Sequence, residues 1–131
     1  MTLDEIAEKC KSGVWYVGTV YTQHSMGRDE AALDAAILAG MLARAAVNVY
    51  SPIVHWHHIA DVVDLPEAHD YWMRVDEPMM DRCDGMIYVR MNEYEKSRGL
   101  AHEVEYFTAQ GKPVLYWDFK PVWFNGRTAV L

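Results

Sequence analysis

Apolar and polar positions along the chain alternate between short, strand-length runs and longer stripes with helical spacing. Thr2, with Glu5 three residues on, reads as a capping box for a short first helix that Gly13 closes. Val14 to Val20 is an apolar, β-branched and aromatic run of strand length, followed by a polar loop from Tyr21 to Gly27. A helix from about Asp29 to Ala46 carries Leu33, Ile37, Met41 and Ala45 at four-residue spacing, which predicts its buried stripe. Val47 to Tyr50 is a second strand, stopped by Ser51-Pro52. Residues 53–68 read as a long, histidine-rich loop, and long loops in compact domains are often functional. Next come a helix around His69 to Arg82, perturbed at Pro78, and a third strand from Met86 to Val89. A polar loop, Asn92 to Ser97, leads into a helix from about Arg98 to Gln110, which Gly111-Lys112-Pro113 ends. Val114 to Trp117 is the fourth strand, and the tail from Asp118 holds one further short strand at most.

Strands alternating with helices predict βαβ units, a parallel sheet and right-handed crossovers. Ligands in such sheets bind beyond the carboxyl ends of the strands. That rule marks three loops, Tyr21–Arg28, Ser51–Pro66 and Asn92–Gly99.

Composition narrows the picture. A length of 131 residues, about half of them hydrophobic, predicts one domain with a sizeable core, and no repeat or linker interrupts it. The net charge of −7 argues against a nucleic-acid backbone or an anionic membrane as partner, though not against a small phosphorylated ligand held by a local nest of N–H groups. No apolar signal segment and no membrane span are visible, and two distant cysteines, Cys10 and Cys83, form no disulfide framework. A cytoplasmic protein is expected.

Among candidate chemical groups, Ser97-Arg98-Gly99-Leu100-Ala101-His102-Glu103 stands out. Gly99 allows close backbone approach at a helix start, where N–H groups and the Ser97 hydroxyl can hold an anion. Glu103 falls one turn later on the same face, so its carboxylate can face whatever the turn binds. Such a carboxylate can trap an oxocarbenium-like sugar covalently. The same residues also read as a capping serine, a turn glycine and a surface glutamate. Asp76, ahead of Glu77-Pro78, reads equally as a helix N-cap. Arg28 can clamp a phosphate with its planar fork or be a solvated surface charge. His55-Trp56-His57-His58 with Asp61 lacks a second ligand pair at metal spacing, so no metal is expected.

The order Ser97-x-Gly99-x-x-x-Glu103, then Gly111-Lys112-Pro113-Val114, resembles the nucleoside 2-deoxyribosyltransferase superfamily, closest to its branch of 2′-deoxynucleoside 5′-monophosphate N-glycosidases. Trp15 to Gly18 resembles that family's first strand, and Ser25-Met26-Gly27-Arg28-Asp29 its loop into the first helix. Asp76, eight residues before Asp84, resembles its catalytic aspartate, and the matches span about residues 14–118. Thr19-Val20 departs from the family's usual Gly-Pro.

The resemblance implies a three-layer Rossmann- or flavodoxin-like α/β sandwich with a four- to five-stranded parallel sheet. It implies Glu103 as nucleophile and Asp76 as acid/base, with no cofactor. It also implies that Tyr21, Arg28, His55, Trp56, Ser97, Gly99 and Asn125 contact a nucleoside or nucleotide, with Tyr21 and Trp56 stacking on the base. Serine at position 97, where the transferases tend to carry an aspartate, favours a 5′-monophosphate and hydrolysis over deoxyribosyl transfer. A non-catalytic nucleotide binder on the same fold is the remaining alternative. The family's sites are often completed by a neighbouring subunit, which implies a homo-oligomer with the aromatic tail, 119–131, at its interface.

Overall fold

The computed structural model describes residues 1–91 and 93–119, together with the strand backbones of 122–124 and 127–129. Four parallel strands form the central sheet: β1 (Trp15–Gly18), β2 (Val49–Tyr50), β3 (Gly85–Arg90) and β4 (Val114–Asp118), in the order β2-β1-β3-β4. Every residue of β1 is buried, as expected of a central parallel strand covered on both faces.

Alternation along the strands sends Trp15, Val17, Ile87, Val89 and Trp117 to one face. There they pack with α1 (Leu3–Lys9) and α2 (Arg28–Arg44) through Ile6, Leu38 and Leu42. Tyr16 and Met86 point to the other face and meet α4 (His69–Arg82) and α5 (Arg98–Ala109) through Met80, Leu100 and Phe107. The result is a three-layer, Rossmann-like α/β sandwich. Cys10 and Cys83 are free thiols buried in opposite clusters. Among the described residues, no helix is long and apolar enough to cross a membrane.

Three expectations need correction. The buried face of α2 is Ala31, Asp34, Ala35, Leu38 and Leu42, whereas Leu33 is 39% exposed. This helix is apolar around most of its circumference, so four-residue spacing fits more than one row and cannot choose between them. Asp34 joins the buried row because His24 Nε2 meets its carboxylate at 2.7 Å.

Second, most of the 53–68 segment is helix, α3 (Pro52–Val62). Ser51 accepts a hydrogen bond from the Val54 amide at 3.3 Å and Pro52 takes the first turn, so Ser-Pro starts a helix as well as ending a strand. Third, the tail holds two strands, β5 (Val122–Phe124) and β6 (Arg127–Ala129), paired antiparallel with each other and separate from the parallel sheet.

From β1 the chain goes through α2 to β2 on one side, and from β3 through α5 to β4 on the other. The order therefore reverses between β1 and β3, and a crevice opens beyond their carboxyl ends.

Candidate active site

A cavity of about 560 Å³ occupies that crevice. Its walls come from the segment after β1, from α3, from the inner face of α4 and from the start of α5, so all three loop regions expected to bind ligand contribute.

Glu103 lies in the buried row Leu100, Glu103, Phe107 of α5 and is 6% exposed. The Tyr16 hydroxyl, from the middle of β1, donates a hydrogen bond to its carboxylate. Gly18 makes room for this arrangement. A Cβ there would overlap the Met86 methyl and stand 2.9 Å from Leu100 Cδ2, with Glu103 Oε1 at 3.7 Å. Glu105 is exposed on the opposite side, as its rotation around the helix requires.

Asp76 is also 6% exposed and sits in the interior of α4, one turn before buried Met80. The N-cap of α4 is Ala68, so Asp76 has no capping role. Trp56 lies close enough to lower the pKa of Asp76 and of Tyr50, yet its N–H makes no well-aligned hydrogen bond. Among the described residues, Asp76 Oδ1, Trp56 Nε1 and the Thr19 hydroxyl have no hydrogen-bond partner at the cavity.

Burial dominates the electrostatics. It pushes Glu103 up to about 8, a rise that the Tyr16 hydrogen bond opposes and the nearby Asp76 charge reinforces. Asp76 is raised to about 6, again by burial, with Trp56 opposing. Burial and the Glu103 charge lift the Tyr16 phenol well above its ordinary value. Burial and the mutual repulsion of the two carboxylates thus disfavour ionising both at once. The resemblance implies an ionised Glu103 facing a protonated Asp76.

Of the expected ligand contacts, Tyr21, Arg28, Trp56, Ser97 and Gly99 all line the cavity. Ser97 caps α5, accepting from the Leu100 amide at 3.2 Å. A Cβ on Gly99 would meet nothing nearer than Ser97 Oγ at 3.9 Å, so that backbone faces open space. Arg28 lies 3.7 Å from Glu67 and 5.5 Å above the Tyr21 ring. Asn125 falls outside the described residues.

His55 does not belong to this set. It is exposed, 5.7 Å from the Tyr50 ring and edge-on to Trp56. The helical periodicity of α3 explains the correction, because it turns Pro52, Trp56 and Ala60 inward with His57 beside them and leaves His55 outside. His57 Nδ1 meets the Tyr21 hydroxyl at 2.6 Å, and Nε2 meets Asp29 at 3.0 Å.

Asp29, His57 and Asp61 each bring one possible metal-ligand atom within 4.8 Å of the others. Two of the three are exposed carboxylates, of a kind that commonly gather without an ion.

Sequence reasoning missed Tyr16, Arg98, His57 and Trp72. Tyr16 lies inside an apolar run and reads as core. Arg98, at the start of α5, lines the cavity and makes no ion pair among the described residues. Trp72 lines it too, edge-on to Trp56 at 5.6 Å.

The fold and cavity define a doubly wound α/β protein with two buried carboxylates at its topological switch point. Residues 13–119 match the family described as Domain of unknown function (DUF1937), and the chain belongs to it. No curated protein matches the chain.

Proposed function

We propose that the chain is an N-glycosidase that cleaves the base–sugar bond of a nucleoside 5′-monophosphate, ribo- or deoxyribo-. The observation that carries this reading is the buried Tyr16–Glu103 pair beside Asp76 in one crevice. The likeness of the Ser97–Glu103 segment to the nucleoside 2-deoxyribosyltransferase superfamily supports it.

In the first step a Glu103 oxygen attacks the anomeric carbon and the base leaves with a proton from Asp76, forming a glycosyl ester. Water then attacks the same carbon, Asp76 takes a water proton, and sugar phosphate and Glu103 carboxylate are released. The reactive form has Glu103 ionised and Asp76 protonated.

Tyr16 favours the ionised glutamate by donating to it, and so works against burial in the direction the attack needs. The phosphate belongs at the start of α5, where Ser97, Arg98 and Gly99 line the cavity and the helix dipole favours an anion. An enzyme of nucleotide turnover with two reduced thiols fits the cytoplasm.

The test is to incubate the protein with a panel of nucleosides and monophosphates and follow free base by chromatography. Base release from monophosphates, lost in Glu103→Gln, is expected. Faster transfer to an added base than to water would replace hydrolysis with deoxyribosyl transfer, and binding without turnover would leave a nucleotide-binding protein.

A further inference from the structure

We propose that the α2–α3 side of the cavity selects nucleobases that carry an exocyclic amino group, through a Tyr21 hydroxyl held as a hydrogen-bond acceptor by His57. The inference rests on the reading that this cavity takes a nucleotide.

The hydrogen-bond chain sets the polarity. His57 Nε2 stands 3.0 Å from Asp29 Oδ1 and 3.7 Å from Asp61 Oδ2, and an ionised carboxylate can only accept. In the neutral tautomer that matches this contact, Nε2 carries the hydrogen and Nδ1 presents a lone pair. With that tautomer the Tyr21 hydroxyl, 2.6 Å from Nδ1, gives its one proton there. What Tyr21 has left is lone pairs. The same wall carries Asp61 and Asp64, which are also acceptors only. Arg28 also lines this side, 3.7 Å from Glu67 and 5.5 Å above the Tyr21 ring.

These carboxylates also repel a phosphate, which leaves the Arg98 side for it and orients the base toward Tyr21. Where Tyr21, Asp61 and Asp64 meet the base, they reward an amino group and are left facing carbonyl lone pairs by a base that lacks one. Sites built on such pairing discriminate strongly, because the mismatched partner leaves both groups desolvated and unpaired.

The test is calorimetric titration of Glu103→Gln, which keeps the side-chain shape but removes the attacking oxygen, with pairs matched in ring and differing at the amino group. These are the deoxynucleoside monophosphates of adenine against hypoxanthine and of cytosine against uracil. The amino-bearing member of each pair is expected to bind at least about tenfold more tightly. Adding Tyr21→Phe should bring the pair toward equality.

Equal binding, a preference for the carbonyl members, or a preference that survives Tyr21→Phe would overturn this inference while leaving the hydrolase reading standing. Failure of all four to bind would overturn both. The order of kcat/KM for base release by the wild-type protein gives a second readout that needs no variant. Selective binding by a wild-type protein that releases no base would overturn hydrolysis alone.

Discussion

The behaviour of Glu103 follows from where its carboxylate sits. With a pKa near 8 when folded and 4.5 as its ordinary value, the folded state binds a proton the unfolded chain has already released. Glu103 contributes most to stability below about pH 4.5, and that contribution is lost as the pH rises through about 8. Asp76 adds a smaller loss of the same sign between its ordinary 3.8 and about 6. Glu103→Gln carries no such penalty, so its Tm relative to wild type is expected to climb between pH 5 and pH 8, by the equivalent of roughly 3–5 kcal/mol at most. Thermal melts across that range check the sign, and a flat difference would mean the carboxyl is ionised at neutral pH. The same variant is expected to release no base. If the pair shares one proton in the reacting enzyme, kcat/KM should follow a bell with limbs near pH 6 and pH 8. Doubly protonated, the pair has no nucleophile; doubly ionised, it has no acid. Tyr16→Phe removes the one hydrogen bond that favours ionised Glu103. It is expected to move the alkaline limb upward and to cut kcat/KM about tenfold to a hundredfold, as loss of a charge-assisted bond does. Glu103 and Asp76 could be singled out from spacing and chemical type. Tyr16 could not, because a phenol inside an apolar strand reads as core until the partner it faces is known.

At the scale of elements, strands and helix ends were the most legible, since Gly111-Lys112-Pro113 and the apolar runs each admit one local conformation. Faces were less so. The stripe expected on α2 was displaced because an almost uniformly apolar helix leaves the choice of face to the sheet it lands on. In α3 the Ser51-Pro52 pair carries both a strand-stopping and a helix-starting signal, and reading only the first hid the helical periodicity that turns His57, and not the His55 implied by the resemblance, toward the cavity. Ser97 has a dual role that variants can separate, because its oxygen caps α5 while its hydroxyl proton stays available to a ligand. Ser97→Ala is expected to cost about 1 kcal/mol through the lost cap and to erase much of any preference for monophosphate over nucleoside. Ser97→Asp retains a capping oxygen and suits the positive end of the helix, so it should melt no lower than wild type while rejecting the phosphate by like-charge repulsion. Denaturation curves beside kcat/KM for a nucleoside and its monophosphate decide this. An aspartate variant that keeps the monophosphate preference would remove the phosphate from the start of α5.

On the scale of the whole molecule, the reversal of strand order between β1 and β3 gathers residues more than 80 positions apart around one crevice, Tyr16 and Glu103 among them. The fold class and the crevice followed from the alternation of elements. The tail's second strand did not, because runs as short as Val122–Phe124 and Arg127–Ala129 carry too little periodicity to register. Among the described residues these two strands pair with each other and extend no edge of the parallel sheet, and Trp123 and Phe124 add aromatic side chains to the segment. A hairpin of two strands is marginal by itself in water and gains stability by packing on another surface. The surface proposed here is a neighbouring subunit's site. Removing the residues after Phe119 is therefore expected to lower the oligomeric mass and the rate of base release together while leaving the α/β core folded. Light scattering on the eluting protein, far-UV circular dichroism and the base-release assay read the three quantities separately. An unchanged mass with full activity would show that the crevice is complete within one chain and would end the role proposed for the tail.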